Sequence, residues 1–450
     1  MPFPPVTDEV VRRYDVEAPR YTSYPTVPSW TAEFGPAEYA AALERAGDPL
    51  SLYVHLPFCR ELCTFCGCNM VVLRDRSQID EYLDAVEAEL SLLAARLGRR
   101  RQLAQMHWGG GTPTSLDERQ IERLFRAIVA RFDVVPGAEV AVEIDPTVTR
   151  ASQIELMRTL GFNRLSMGVQ DFDPVVQETI HRIQTVEETR DLLERARSLG
   201  YRGLNVDLIY GLPHQNATTW KKTLETVLAL RPDRAAVYSF GYLPQLRHHH
   251  RLLPVAALPV AAAKLALFGM AYDAFEGAGY RPIGMDHFAR DDDELSIAQA
   301  AGRLRRNFQG YTASPVAEVV AVGATGISDV GGAYAQNVRA LPYYQTAVTE
   351  GRFATDRGIV MTEDDLARRD LIQHVMCHFQ ADLDGPAARR FAEELARMRA
   401  LEAEGLVRVR QAAGGGVHVE ATPLGRIFVR NVAAVFDAGV RKKGSHSKAV

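Results

Sequence analysis

Short apolar runs rich in β-branched and aromatic residues alternate with longer amphipathic segments through the first half of this chain. Six runs have the length and composition of buried strands, at 51–56, 105–108, 139–144, 164–169, 204–210 and 234–240. A strand followed by a helix, repeated in this way, predicts a parallel sheet with right-handed crossovers. We therefore expect an α/β fold whose sheet curls into a partial (β/α)6 barrel.

Two of the intervening segments carry specific helix signals. In 79–97 the apolar residues fall on one face of a helix. The segment 186–199 begins with a capping box made by Thr185 and Glu188 and ends before Gly200. Both patterns predict helices that pack on the sheet.

The residues at the carboxyl ends of the predicted strands are polar or glycine-rich, and active sites of such folds lie there. Gly109, Gly110, Gly111 and Thr112 follow the second strand, Glu143 closes the third, Gln170 follows the fourth and Asp207 lies in the fifth. A glycine triplet alone is most often a tight turn, and Glu143 alone could be a solvated strand end or a helix cap. Asp207 favours function more strongly, because a strand buried on both faces seldom carries a charge without a partner.

A run of cysteines follows the first predicted strand directly. Cys59, Cys63 and Cys66 have the spacing C-x3-C-x2-C. Three thiols on one short loop can bind three irons of a [4Fe-4S] cluster and leave the fourth iron open for S-adenosylmethionine (SAM), which chelates through its amino and carboxylate groups. Cys68 is too close to Cys66 to complete the cluster without distorting the loop, so we interpret it as a neighbour and not as a ligand.

Two simpler interpretations of the cysteines are a zinc site and a disulfide. Zinc sites generally pair C-x2-C with a distant second pair, and the only other cysteine is the isolated Cys377, which we interpret as a core residue. A disulfide requires export, and the N-terminus has neither a basic start nor an apolar segment. We therefore predict reduced thiols in the cytoplasm.

Composition limits the classes of partner. The 450 residues carry a formal net charge of −4, which argues against general affinity for nucleic acid, and the length allows two or three domains. The most apolar stretch, 252–275, is interrupted by Pro254, Pro259, Lys264 and Asp273. It predicts a loop that leads into a buried helix, not a membrane span.

The chain contains several longer motifs, which are PRYTSYPT from Pro19, YVHLPFC from Tyr53, HWGGGTPT from His107, RLSMGVQDF from Arg164, NVDLIYGLP from Asn205, GMDHFAR from Gly284, RNFQGYT from Arg306 and YAQN from Tyr334. In these motifs the chain resembles the oxygen-independent coproporphyrinogen III oxidases of the radical SAM superfamily. The C-x3-C-x2-C loop indicates only the superfamily. Cys68, PRYTSYPT and RNFQGYT indicate this family, and the resemblance runs nearly end to end.

The resemblance implies roles for individual residues. Cys59, Cys63 and Cys66 would bind the cluster, and Cys68 would be needed for activity without being a ligand. One SAM would lie against Tyr53, Gly110, Glu143 and Ile327, and a second against Phe65, Gly111, Thr112, Gln170, Arg182, Asp207 and the backbone of Gly241. Phe308 and Gln309, with Tyr53 and Cys68, would lie at the site of the reaction.

The implied activity is the oxygen-independent oxidative decarboxylation of coproporphyrinogen III to protoporphyrinogen IX in heme biosynthesis. A 5′-deoxyadenosyl radical would remove a hydrogen from the β-carbon of a propionate, and loss of carbon dioxide and one electron would leave a vinyl group, twice per molecule. The implied partners are this tetrapyrrole and a small redox protein as electron donor, with no nucleic acid and no membrane span, and we expect a monomer. A cationic side chain such as Arg20 should meet the carboxylates of the substrate.

The chain departs from the family between residues 241 and 251 and around Ile327. Gly241 and Tyr242 replace the usual Ala-His, and His248, His249 and His250 follow between arginines. Such a run could bind a metal or heme, but it is more often a solvated surface, which we predict here. Two alternative functions stay open: a heme-binding chaperone, although such relatives generally lack Cys68 and PRYTSYPT, and a radical SAM enzyme that acts on heme.

The last third of the chain has a different pattern. From Thr362 it becomes mostly helical, and a two-stranded ribbon at 406–410 and 417–421 resembles a winged helix. We interpret this part as a cover over the active site, because a winged helix does not by itself imply DNA binding. We predict an N-terminal extension that covers the active site (1–48), a catalytic barrel (49–345) and a winged-helix-like C-terminal domain (346–450).

Overall fold

Six parallel strands form the centre of the sheet in the computed structural model, which describes residues 2–99, 101–314 and 316–439. They are β1 (Leu50–Leu56), β2 (Gln102–Gly110), β3 (Asp133–Ile144), β4 (Arg164–Gln170), β5 (Gly203–Tyr210) and β6 (Arg234–Ser239). The strands lie side by side in chain order, each parallel to the next. The prediction of an α/β fold with a partial (β/α)6 barrel is confirmed.

Helices connect these strands and cover the outside of the sheet. They are α1 (Ser77–Leu97), α2 (Glu118–Val129), α3 (Ala151–Leu160), α4 (Val186–Ser198) and α5 (Ala217–Leu230), with α6 (Ala261–Gly277) after β6 and short helices at Pro174–Thr179 and Glu294–Ala300. The predicted capping box of α4 is present, because the Glu188 N–H donates to Thr185 Oγ1 at 3.1 Å and the Thr185 N–H donates to Glu188 Oε2 at 2.8 Å. Gly200 has the expected left-handed φ of 79°.

The most apolar stretch of the sequence contains α6. Its buried side chains include Leu265, Phe268 and Phe275. Within the described ranges, no helix has both the length and the apolar character needed to cross a membrane.

Six further strands, which the sequence analysis did not predict, extend the sheet at both edges. They are β7 (Tyr280–Ile283), β8 (His287–Arg290), β9 (Val319–Val322), β10 (Ile327–Val330), β11 (Ala333–Asn337) and β12 (Thr355–Val360). Strand β9 is parallel to β1 and is followed outward by the antiparallel β10, β11 and β12, while β8 and β7 continue antiparallel beyond β6. The sheet continues to Val360, past the boundary at 345, and the division into three domains remains a prediction.

The N-terminal and C-terminal segments pack against each other. The N-terminal helices are Asp8–Tyr14 and Pro36–Glu44, and the later helices are Leu341–Thr349, Glu363–His378, Gly385–Arg390, Ala392–Ala403, Pro423–Ile427 and Val429–Ala433. The predicted ribbon is present as Val407–Gln411 and Val417–Ala421, with a third strand, Gln380–Leu383, on its other side. Residues 440–450 of the predicted C-terminal domain lie outside the described residues.

The C-terminal helices hold the N-terminal segment through polar contacts. Arg430 donates to the carbonyls of Ala18 and Pro19, and the Tyr21 hydroxyl donates to Asp437 at 3.1 Å. These contacts fix the backbone on either side of Arg20, whose side chain reaches the interior of the barrel.

Candidate active site

Two adjoining cavities open at the carboxyl ends of the central strands, and they contain every residue predicted from the sequence. The tyrosine cavity, about 660 Å³, is lined by Tyr53, Gly110, Glu143, Phe308, Gln309 and Ile327. The cysteine cavity, about 770 Å³, is lined by Cys59, Cys63, Cys66, Phe65, Gly111, Thr112, Gln170, Arg182, Asp207 and Gly241. Cys68, Gly110 and Glu143 line both, so the two cavities share a wall.

The cysteine loop connects the end of β1 to the start of α1. The short strands Phe58–Cys59 and Val71–Val72 pair in parallel and hold its two ends together. Cys59 Sγ lies 3.5 Å from Thr112 Oγ1, and Cys63 Sγ lies 4.0 Å from Arg182 Nη1. The Cys68 N–H donates to Cys66 Sγ at 3.4 Å, which places Cys68 beside the three predicted ligands, as expected.

The donor set suits an iron–sulfur cluster. All five cysteines are unpaired, which gives no support to a disulfide. In the described part of the chain, no three His, Cys, Asp or Glu side chains lie close enough together to bind one metal ion. The thiols that bind a cubane cluster lie further apart than those that bind a single ion. Burial raises the pKa of Cys59 to about 12 and of Cys63 to about 11, so these thiols are protonated until iron replaces the proton.

Close packing at the cavity wall leaves no room for side chains in the glycine triplet. Gly110 has a φ of 116°, and a Cβ there would lie 2.6 Å from the His55 ring. A Cβ at Gly111 would lie 2.6 Å from the carbonyl of Pro57, at the start of the cysteine loop. The segment is therefore a constrained turn and also a wall of both cavities, where a ligand can approach backbone groups closely.

Two histidines that the sequence analysis did not select organise the tyrosine cavity. The Tyr53 hydroxyl donates to His55 Nδ1 at 3.2 Å, and His55 Nε2 donates to the carbonyl of Asn69 at 3.0 Å. His107 stacks on Tyr53 with ring centroids 5.9 Å apart and donates from Nε2 to Glu143 at 2.9 Å. Both histidines lie within quoted motifs and point to the same side of the sheet as Tyr53, which was the available signal.

Glu143 is held as a carboxylate. Burial opposes its ionisation, but hydrogen bonds from His107 and from the Gly110 N–H, at 3.2 Å, lower its pKa below the usual range. Asp207 shows the opposite shift, since burial and the nearby charge of Glu143 raise its pKa to about 7. Asp207 accepts hydrogen bonds from Ser166 Oγ at 3.1 Å and Asn205 Nδ2 at 2.8 Å, which supply the partners expected for a charge on a buried strand.

The far walls of the cavities come from later parts of the chain. Phe308 and Gln309 form the turn between the short strands Arg305–Asn307 and Gly310–Thr312. Trp30 lies 5.9 Å from Phe308 between ring centroids, so the N-terminal extension reaches the active site. Arg182 pairs with Asp145 and donates to the carbonyl of Gly168 at 2.7 Å, and its buried Nε has no hydrogen-bond partner within the described residues.

Arginine side chains supply the positive charge of the site. Arg20 lines the cysteine cavity, where it pairs with Asp286 and lies over the ring of Tyr238. Arg247 and Arg339 line both cavities and Arg357 lines the tyrosine cavity. Among the described carboxylates, none forms an ion pair with these last three arginines. The sequence analysis selected Arg20 and Arg182 but missed these three, which lie outside the quoted motifs.

The prediction that the histidine run is a solvated surface is wrong for two of its three members. His250 is only 2% exposed and packs against Phe240 and Tyr242, while His249 Nε2 donates to the carbonyl of Cys66 at 2.7 Å. The short 3-10 turn His248–Leu252 directs these two rings inward, and His248 remains exposed. Backbone curvature over so few residues is not visible in the sequence pattern.

The interpretation of the C-terminal domain (346–450) as a cover over the active site applies only to its first residues, because Asp356 and Arg357 on β12 line the tyrosine cavity. Among the described residues that line the two cavities, none comes from 362–439. Residues 362–439 contact the N-terminal segment, so this part acts on the site through residues 18–21.

Comparisons with known proteins agree with this geometry. Residues 53–227 match the Radical SAM superfamily. The oxygen-independent coproporphyrinogen III oxidase of Synechocystis sp. is 40% identical over 98% of this chain and 97% of its own length, and that of Salmonella typhimurium is 41% identical over 96% and 95%. The solved structure of coproporphyrinogen III oxidase from Escherichia coli, described as a radical SAM enzyme, is 41% identical, covers 93% of this chain and 97% of its own, and superposes with a TM-score of 0.89.

The barrel with its three-cysteine loop is thus that of a radical SAM oxidoreductase, whose cofactors are a [4Fe-4S] cluster and SAM. Within that class, the chain belongs to the family of the oxygen-independent coproporphyrinogen III oxidases.

Proposed function

We propose that this chain decarboxylates two propionate side chains of coproporphyrinogen III to vinyl groups, giving protoporphyrinogen IX without oxygen. The observation that carries the proposal is the convergence of residues from the six central strands, from β10, β11 and β12, and from the loops between them on the two adjoining cavities. Thiols, a charged carboxylate, an aromatic hydroxyl and arginines that have no acidic partner among the described residues lie together there. A tetrapyrrole with four carboxylates needs this combination of cofactor ligands and cations.

When bound, the reduced cluster and SAM supply a 5′-deoxyadenosyl radical that removes a hydrogen from the β-carbon of a propionate. Cys59, Cys63 and Cys66 would hold the cluster as thiolates. Glu143, kept ionised by His107, suits the ribose hydroxyl pair of SAM, as carboxylates at strand ends do for nucleosides.

The substrate carboxylates would be bound by arginines that line the two cavities. Arg247, Arg339 and Arg357 face the cavities without an acidic partner in the described residues, so a propionate does not have to displace an existing ion pair. Arg20 is already paired with Asp286, and a propionate there would share the guanidinium. Arginine is well suited to this role because it binds carboxylates through two parallel hydrogen bonds.

Four further statements are part of the proposal. A second SAM would occupy the cysteine cavity against Phe65, Gly111, Thr112, Gln170, Arg182, Asp207 and Gly241, which together line its wall. A small redox protein would donate the electron, and the chain would act as a monomer. The unpaired thiols support a reducing location, which we propose is the cytoplasm.

Neither alternative function gains support from the histidine run. Region 241–251 was the reason to consider heme as a substrate, but His249 and His250 are occupied by hydrogen bonds to the cysteine loop. Cys68, which the heme-binding relatives generally lack, lies at the junction of the two cavities.

The test is an anaerobic incubation of cluster-reconstituted protein with coproporphyrinogen III, SAM and a strong reductant. We expect the tetrapyrrole to lose two carboxyl groups in succession, with 5′-deoxyadenosine formed in matching amount, as followed by mass spectrometry. Omission of SAM is the control. If SAM is cleaved while the tetrapyrrole is unchanged, the substrate assignment is wrong, and heme is the next compound to add.

A further inference from the structure

Three successive carbonyl groups of the cysteine loop are bound by side chains of one other loop. His250 Nε2 lies 3.2 Å from the carbonyl of Phe65, His249 Nε2 lies 2.7 Å from that of Cys66, and Arg247 Nη2 donates to that of Gly67. Among the hydrogen bonds of the described residues, these carbonyls accept only from this segment, and the Cys66 carbonyl also interacts with the His250 ring. The segment 247–250 therefore supplies the donors for the stretch that contains the third predicted ligand.

The hydrogen bonds of His250 define which nitrogen carries its proton. The Leu243 N–H donates to His250 Nδ1 at 3.0 Å, so Nδ1 is an acceptor. A neutral imidazole then carries its hydrogen on Nε2, where it is directed at the carbonyl of Phe65. Stacking on Tyr242, with ring centroids 6.1 Å apart, holds the ring in this orientation.

The rest of the cysteine loop is anchored elsewhere. The end at Cys59 pairs with Val71–Val72, and Thr64 is fixed by its N–H to the carbonyl of Ile180 at 3.1 Å and by its hydroxyl to the carbonyl of Thr179 at 3.1 Å. Residues 65–67 are held by a different part of the chain, beyond β6. Their position depends on the segment in which this sequence departs from the family pattern.

We propose that His249, His250 and Arg247 are positioning residues that hold Phe65, Cys66 and Gly67 in place for cluster and SAM binding. They act through the backbone of the loop and do not bind iron. Release of these carbonyls would expose the partly buried Cys66 thiol, beside the already exposed Cys68, and loosen the cluster at one of its three ligands. This inference rests on the proposed role of the loop in binding the cluster.

The test compares His249→Ala, His249→Gln and the adjacent His248→Ala as a matched control, since His248 is exposed. The first readout is the rate at which iodoacetamide alkylates Cys66 in cluster-free protein, relative to the rate at the already exposed Cys68, resolved by peptide mass spectrometry. Loss of one net hydrogen bond should raise the population of the released loop and the alkylation rate about threefold to tenfold in His249→Ala. His249→Gln, whose amide can still donate to the carbonyl, should restore much of the protection.

The second readout is the rate at which reconstituted protein loses iron to a chelator, with the ratio of 5′-deoxyadenosine to decarboxylated product. His249→Ala should lose iron faster and cleave more SAM per decarboxylation, while His248→Ala should match the unmodified protein. Equal alkylation in all three variants would overturn the inference. If the unmodified protein fails to decarboxylate the tetrapyrrole but the order of alkylation rates holds, the proposed function fails and the positioning role stands.

Should His249→Ala not fold, Arg247→Gln provides the same measurement at the next carbonyl. The alkylation assay contains no substrate, so the proposed contact of Arg247 with a propionate does not affect it. Unchanged alkylation of Cys66 and Cys68 in Arg247→Gln would also count against the inference.

Discussion

The two cavities of the active site are built in different ways. The tyrosine cavity takes its walls from side chains on strands, with Tyr53 on β1, Glu143 on β3 and Ile327 on β10. The cysteine cavity takes much of its wall from two loops, 59–68 and 241–250, that contact each other. Paired strands fix the first, whereas individual side-chain hydrogen bonds fix the second.

This difference predicts which property each kind of substitution changes. Backbone pairing holds Tyr53 opposite His107 and Ala321, so neighbouring side chains can change without moving it far. A loop held by a few side-chain contacts shifts when any one of them is lost. Substitutions in the tyrosine cavity should therefore alter affinity for SAM or substrate, and substitutions in the cysteine loop should alter retention of iron.

The largest expected effect separates two cysteines five residues apart. Cys63→Ser should lose most of its iron after reconstitution and all detectable SAM cleavage, because one of three cluster ligands is lost. Cys68→Ala should retain iron but lose decarboxylation. We measure iron per chain, 5′-deoxyadenosine and vinyl product. Cys377→Ala is the control, which should keep its iron, its SAM cleavage and its decarboxylation. Loss of iron in Cys68→Ala would show that Cys68 is a cluster ligand, and the predicted difference between Cys63 and Cys68 would be wrong.

The next effect concerns the charge of Glu143. Glu143→Gln should weaken SAM binding about tenfold to a hundredfold, because a hydrogen bond to a charged group in a buried site is lost, while iron content stays unchanged. Isothermal titration with SAM measures the first and iron analysis the second. Glu139→Gln, on the same face of β3 but outside both cavities, is the matched control. Equal loss of SAM affinity in the two variants would show that the effect does not depend on the position of Glu143 in the cavity wall.

The sequence predicted the groups at the ends of the strands better than the contact between the two loops. Glu143 and Asp207 could be selected because alternating strands and helices define where carboxyl ends meet. The resemblance then supplied Ile327, Phe308 and Gln309, which lie on short strands and a turn that periodicity did not detect. His249 and His250 were misinterpreted, because their contacts join loops about 180 residues apart and depend on one 3-10 turn. The extra strands β7 to β12, of four to six residues, were missed because they are short and, except for β9, antiparallel, outside the repeated pattern of parallel strand and helix.

A smaller effect tests two arginines that line the tyrosine cavity. Arg339→Ala and Arg357→Ala should each raise the KM for coproporphyrinogen III about tenfold, since each removes one charge-assisted contact to a propionate. Substrate-free SAM cleavage and iron content should be unchanged. Arg352→Ala is the control, because Arg352 is exposed, pairs with Glu350 and lies outside both cavities. An equal KM in all three variants would place the carboxylate contacts elsewhere, with Arg20 as the first alternative.

The smallest expected effect lies behind the tyrosine cavity, at a buried carboxyl group of α1. Glu89 accepts hydrogen bonds from the Gly323 N–H at 2.8 Å, Asn337 Nδ2 at 2.6 Å and the Tyr344 hydroxyl at 2.6 Å. Gly323 begins the turn that carries Thr325 into the cavity wall. Burial outweighs these hydrogen bonds and raises the pKa of Glu89 from 4.5 to about 7. This wall is thus supported by a side chain whose protonation changes with pH, whereas the strand pairing beside it involves no titrating group.

Because the native pKa of Glu89 lies above that of the unfolded chain, the native state holds a proton that the unfolded chain releases between about pH 4.5 and 7. The contribution of Glu89 to stability is therefore full below this window and decreases as the pH rises through it, by at most about 3 kcal/mol. Glu89→Gln does not titrate, so the melting temperature of the unmodified protein should fall relative to that of the variant between pH 5 and pH 7. Glu81→Gln, exposed on the same helix, should show no such trend. A difference in melting temperature between the unmodified protein and Glu89→Gln that stays constant with pH would mean that Glu89 is ionised in the native state. The hydrogen bonds to Glu89 would then support this wall as firmly as strand pairing supports Tyr53.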